Sequence, residues 1–176
     1  MGEICVSNQA GHVLVTLGLG SCVCIAAYDA VRNIAGMVHI VQPDSSNARN
    51  NGTPGRFADT AVPALLAQMD SAGADVRRLC VAIAGGAEIF SFAGGQDRLI
   101  RVAEQNILAV QAALKQARLS VLASDLGGSH GRTVRLFVDD GVVTVRVAGE
   151  DEFQLALLGS KFISGAAGKV LTDDTP

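Results

Sequence analysis

The sequence is poor in aromatic residues: 176 positions hold no tryptophan, one tyrosine and six phenylalanines. Its core must therefore be assembled from Val, Leu, Ile and Ala. Charge is also scarce, at 18% of residues against 49% hydrophobic, which excludes a disordered chain and permits a large core. A net charge of −3, with no basic stripe interleaved with aromatics, excludes a general nucleic-acid binder. No apolar run reaches the roughly 20 residues that span a bilayer. The most apolar stretch, Val13 to Tyr28, is interrupted by Thr16, Gly18, Gly20 and Ser21. Nothing basic precedes it, so no signal peptide is expected, and Val6 stands where N-myristoylation requires Ser or Thr. The four cysteines (Cys5, Cys22, Cys24 and Cys80) are too sparse and irregular for a disulfide framework. These absences describe a cytoplasmic protein with reduced thiols and no direct membrane insertion.

The length suits one domain. Its pattern spans residues 1–148, and residues 149–176 form a C-terminal extension, partly helical or a flexible tail. Glu3 to Ser7 and Val13 to Thr16 are β-prone runs separated by Asn8-Gln9-Ala10-Gly11, which predicts a hairpin. Cys22 to Tyr28 and Ile34 to Val41 follow as further strands, so the first forty residues read as an antiparallel meander. Gln42 to Gly55 is polar and rich in Asn, Ser and Pro, a functional loop by composition. Helical spacing of Ala58, Val62, Leu65, Leu66 and Met69 ends at Gly73; either the helix starts near Asp59 or Thr60, the favoured option, with Pro63 in its first turn, or it is kinked at Pro63. Leu79 to Ala84 is a strand, Arg101 to Gln116 a helix and Leu119 to Ala123 a strand. Val134 to Val138 and Val142 to Val147 flank Asp139-Asp140-Gly141 as a hairpin. Phe153 to Leu158 fits a short helix. The sum is an α/β fold, a layered sandwich of mostly antiparallel sheet with two main helices.

Gly18-Leu19-Gly20-Ser21-Cys22 opens like a dinucleotide fingerprint. However, Val23 stands where the third glycine would fall and a strand follows, so no helix N-terminus awaits a pyrophosphate and no cofactor is expected. The glycines instead permit close backbone approach and can leave N–H groups facing a reacting oxygen. Gly20 and Ser21 are candidates for such a substrate or oxyanion loop, as are Gly85 and Gly86, which also read as a tight turn. Cys22 alone is either a small buried hydrophobe or a nucleophile. His39 alone, near a strand end, is more often structural. If the two strands pair around residue 30 or 31, Cys22 and His39 fall close together, and the Thr16 hydroxyl can reach the far nitrogen of the imidazole. Cys24 shares a strand face with Cys22, which with His39 and Cys80 raises a zinc alternative, but a C-x-C spacing with no second pair argues against it, and no metal is expected. Cys5 and Cys80 read as inert thiols and His12 as solvated. His130 is a surface residue or a rival base.

Thr16-Leu17-Gly18-Leu19-Gly20-Ser21-Cys22-Val23, then Tyr28-Asp29, then Gly36-Met37-Val38-His39, resembles the CheD family of chemoreceptor glutamine deamidases. The likeness continues through Arg56-Phe57, Leu65-Leu66, Gly85-Gly86-Ala87, Asn106 and Asp125-Leu126-Gly127-Gly128, covering about residues 2 to 147. The resemblance implies Cys22 as nucleophile, His39 as its histidine and Thr16 as third member. It implies conversion of specific glutamines on methyl-accepting chemotaxis receptors to glutamate with ammonia release. Many members also bind the CheC phosphatase, and the family fold is similar to that of toxins that deamidate host glutamines. Ile40-Val41-Gln42-Pro43 is more polar than the family's usual run, and Ala84 stands where an aromatic is common. These departures concern partner and substrate choice, not the triad. The Gln42–Gly55 loop is the expected grip on the receptor. A competing class is a non-catalytic adaptor for a CheC-like phosphatase or a receptor; transamidation and ester hydrolysis are other reactions open to the same cysteine.

Overall fold

A computed structural model describes residues 1–46, 53–89 and 96–159, the side chains of 96–101 excepted. Among the described residues, two sheets and two α-helices stack in three layers. The central sheet orders its strands β1 (Ile4–Ser7), β4 (Ile34–Ile40), β3 (Val23–Asp29), β5 (Cys80–Gly85) and β6 (Val121–Leu126). The second sheet orders β2 (Val13–Leu19), β7 (Arg132–Phe137), β8 (Val142–Val147) and β9 (Glu152–Leu157). Every pairing between these strands is antiparallel except β5 with β6, which α2 (Gln96–Gln116) connects as a crossover.

All seven residues of β3 are buried, which explains its apolar run from Val23 to Ala27: the strand is covered on both faces. Val23, Ile25 and Ala27 join the core beneath α1 (Ala58–Ser71) and α2, while Cys22, Cys24, Ala26 and Tyr28 face the second sheet. Small residues dominate that inter-sheet face: Ala26, Ala35, Ala82 and Ala84 let the layers close with few aromatics. The one tyrosine spans them, Tyr28 Oη donating to the Val138 carbonyl at 2.7 Å.

Several expectations need correction. β1 and β2 do not form a hairpin: β1 pairs with β4 and β2 with β7, so the turn at Asn8–Gly11 carries the chain between layers. α1 starts at Ala58, which places Pro63 inside the helix rather than in its first turn. That start is fixed by backbone, the Ala58 N–H donating to Gln42 O at 3.0 Å with no side-chain cap on Phe57. Residues 153–157 lie in strand β9, not in a helix, because an alternate ladder to β8 was available. The helix at 101–116 begins earlier, at Gln96. The Asp139-Asp140-Gly141 hairpin is present, with Gly141 at φ +71°. Of the Gln42–Gly55 loop, residues 47–52 lie outside the described residues, as do 160–176 of the C-terminal extension. Among the described residues no helix is long and apolar enough to cross a membrane.

Candidate active site

The β3–β4 hairpin sets the geometry. Its register pairs Cys24 with His39 and Val23 with Ile40, a centre just beyond the expected one. Cys22 is therefore one diagonal step from His39 rather than directly opposite it, and both project toward the second sheet because residues two apart share a face. The His39 backbone is clamped from the other side, where Gly2 N donates to His39 O at 2.9 Å and His39 N to Glu3 O at 3.2 Å. Position on the sheet is thus rigid, and only the imidazole torsions remain free.

Thr16 reaches the same face from the other sheet. β2 alternates, with Val13, Val15 and Leu17 exposed and Thr16 buried. Its hydroxyl donates to Met37 Sδ at 3.1 Å and also hydrogen-bonds the Cys24 thiol, which burial pushes up to about 12. His39 Nε2 is buried with no hydrogen-bond partner. Thr16 and His39 line a cleft of about 410 Å³ between the β1 and β2 edges, together with Glu3, Cys5, Leu17 and Met37; Cys22 lies outside its lining.

Both candidate proton-transfer groups are held neutral. Burial raises the Cys22 thiol above its ordinary 9.0, against the lowering effects of the Met1 amino group and the Cys22 N–H. Burial also lowers the His39 imidazole below 6.5, assisted by the same amino group and opposed by Glu3. The resting pair is thiol and imidazole, so thiolate must form as the substrate arrives.

The glycine loops serve the nucleophile's backbone. Gly86 N donates to Cys22 O at 2.8 Å and Ala87 N to Gly20 O at 2.7 Å. Gly85 and Gly86 have φ of +124° and +67°, and a Cβ on Gly85 would stand 2.2 Å from Cys22 O. The Gly86 N–H is thus engaged by protein. The Cys22 N–H lies next to its own thiol, whose pKa it lowers. A further layer holds this turn: Gly127 N donates to Gly85 O and Glu88 N to Gly128 O, while Arg132 ties Asp125, Gly127 O and His130 O together.

Asn106 has no assigned role in the sequence reading. It is fully buried on α2, its Nδ2 donating to Ser21 O at 2.8 Å and Val41 O at 3.0 Å. A polar residue among Ala103, Val110 and Leu114 on the apolar helix face is the sequence signal that marks it. Zinc is not supported by placement: Cys80 pairs with Tyr28, at the far end of β3 from Cys22. Among the described residues no group of three or more potential ligands gathers for a metal. His130 is exposed beside Ser129, and His12 is exposed against Ser7.

Known proteins are similar to this chain over most of its length. A family model described as CheD chemotactic sensory transduction matches residues 42–147. A Symbiobacterium thermophilum protein named probable chemoreceptor glutamine deamidase CheD is 43% identical over 156 residues, 88% of this chain and 94% of the relative. One of the same name from Clostridium botulinum (strain Eklund 17B / Type B) is 41% identical over 136 residues, covering 77% and 83%. The chemoreceptor glutamine deamidase CheD of Halalkalibacterium halodurans is 37% identical over 145 residues, covering 82% and 89%. The family model begins after His39, so Thr16, Cys22 and His39 lie outside the matched residues.

Proposed function

Because the chain belongs to the CheD family, we propose that it deamidates glutamine side chains of methyl-accepting chemotaxis receptors through Cys22, His39 and Thr16. The observation that carries the reading is the shared face of Cys22 and His39, fixed by the β3–β4 register.

As the carboxamide binds, His39 accepts the Cys22 proton and the sulfur attacks the carbonyl carbon. Charge gathers on the former carbonyl oxygen, and the Cys22 N–H is the donor placed to meet it. One such donor is worth roughly 10²–10³ in rate. His39 returns its proton to the amide nitrogen, the C–N bond breaks, and ammonia leaves a Cys22 thioester. Water then gives its proton to His39 and its oxygen to the acyl carbon. The sulfur departs, regains the proton, and the side chain is released as glutamate. Thr16 carries no charge, so it orients the imidazole without balancing an imidazolium. In the resting protein its hydroxyl is turned to Met37 and Cys24, and this role requires it to swing to His39 when the substrate enters.

The reaction takes place in the cytoplasm, where the four cysteines stay reduced. A CheC-type phosphatase is the second partner of this reading. Ammonia release from a glutamine-bearing receptor cytoplasmic fragment tests it, with free glutamine as the control. Release by the wild type and none by Cys22→Ala is expected. Equal release by both proteins would contradict it.

A further inference from the structure

Asn106 stands apart from the triad, yet it binds the backbone on both sides of it. Its Nδ2 group donates to Ser21 O at 2.8 Å and to Val41 O at 3.0 Å. Ser21 immediately precedes Cys22, and Val41 lies two residues past His39, just beyond the end of β4. One buried amide therefore ties the turn that carries the thiol to the strand that carries the imidazole. Its Oδ1 is buried without a partner, an arrangement that weakens a fold and is kept for the two donors.

The Ser21 carbonyl and the Cys22 N–H belong to one peptide unit. The chain has no cis peptide bond among the described residues, so these two groups point in opposite directions from a single plane. Fixing the oxygen on the α2 side turns the hydrogen to the opposite side, where the Cys22 side chain packs toward the second sheet. The next peptide is fixed as well, since Gly86 N holds Cys22 O at 2.8 Å. Without Asn106 the first of these planes is free to rotate.

We infer that Asn106 is a positioning residue for the oxyanion donor: by gripping Ser21 O it aims the Cys22 N–H at the oxygen of the tetrahedral intermediate. The inference rests on the proposed deamidase reading. It distinguishes two reactions of the same thiol. Amide hydrolysis builds negative charge on an oxygen and needs the donor. Alkylation by iodoacetamide displaces iodide at carbon, builds no oxyanion and does not need it.

The test compares wild type, Asn106→Asp and Asn106→Ala. Asp is isosteric but replaces the donors with oxygens that face two carbonyls, and Ala removes the side chain. Deamidation of the receptor fragment is measured as kcat and KM, and iodoacetamide alkylation is followed by mass at the Cys22 peptide. Each protein is assayed below its own unfolding midpoint. A fall in kcat of about 10- to 100-fold, with KM and the alkylation rate changed little, is expected. Unchanged kcat in the variants overturns the inference alone. Parallel loss of deamidation and alkylation overturns it too, because Asn106 then places the sulfur rather than the donor. Failure of both variants to fold at any temperature also overturns it, making Asn106 a residue of the fold. A wild type that alkylates normally but releases no ammonia removes the deamidase reading, and this inference with it.

Discussion

Gly85 stands so close to Cys22 that a methyl group on its α-carbon would lie 2.2 Å from the Cys22 carbonyl oxygen. Its φ of +124° is likewise closed to other residues. Gly85→Ala must therefore push the nucleophile's backbone aside. The substitution is expected to cost roughly 2–4 kcal/mol of stability. Calorimetry should show a Tm lower by about 5–15 °C. Activity at a temperature where the variant is folded should fall as well, because the Cys22 peptide moves with the clash.

The pH profile follows from two neutral partners. His39 acts as base only when unprotonated, and burial lowers its pKa below 6.5, so the acid limb of kcat/KM lies below the ordinary histidine value. Cys22 must carry its proton in the resting state, and burial raises its pKa above 9.0, so the alkaline limb lies beyond that value. A thiol–imidazole pair and its thiolate–imidazolium tautomer hold the same number of protons, so the limbs are those of the free enzyme whichever tautomer reacts. A flat kcat/KM across neutral pH is expected. A steep rise through pH 8 would show that the thiol must ionise on its own.

Thr16 is expected to act through its hydroxyl on His39. Thr16→Val keeps the shape and removes the hydroxyl, and should lower kcat roughly tenfold, less than the roughly 10²–10⁴-fold supplied by a group that itself transfers the proton. Thr16→Ser should retain most of the rate. Equal activity of the Val variant and the wild type would make Thr16 a packing residue beside Met37.

Arg132 links the outer glycine turn to the inner one. It is buried and bonds Asp125, Gly127 O and His130 O, while Gly127 N in turn holds Gly85 O. Arg132→Leu leaves a carboxylate and two carbonyls without their donor, which is expected to cost about 3–5 kcal/mol. Denaturant unfolding reads this directly. Arg132→Lys should recover only part of it, since an ammonium cannot reproduce the forked contact with Asp125.

Local chemistry explains which elements were legible in the sequence. The Asp139-Asp140-Gly141 turn and the Asp29–Asn33 turn each join strands that pair with each other, so turn residues alone located both hairpins. The same kind of signal failed at Asn8–Gly11, because turn composition says that the chain reverses and not which sheet the next strand joins. Strand β9 was missed because Phe153 to Leu158 carries no alternation strong enough to separate strand from helix, and its ladder to β8 decided the matter. Pro63 was expected in a first turn, but the start of α1 is set by the carbonyl of Gln42, a long-range partner with no local signature. Cys22, His39 and Thr16 were legible as candidates, whereas the diagonal register between the first two required the ladder itself. Asn106 looked like one more residue of the resemblance. Only its two carbonyl partners reveal a function.

The central claim is that Cys22 and His39 together convert a receptor glutamine to glutamate. The most direct measurement is the intact mass of a glutamine-bearing receptor cytoplasmic fragment after incubation with wild type, Cys22→Ala and His39→Ala. A Gln-to-Glu mass shift with the wild type, absent with both variants, is the predicted result. A shift that persists with Cys22→Ala would contradict the account.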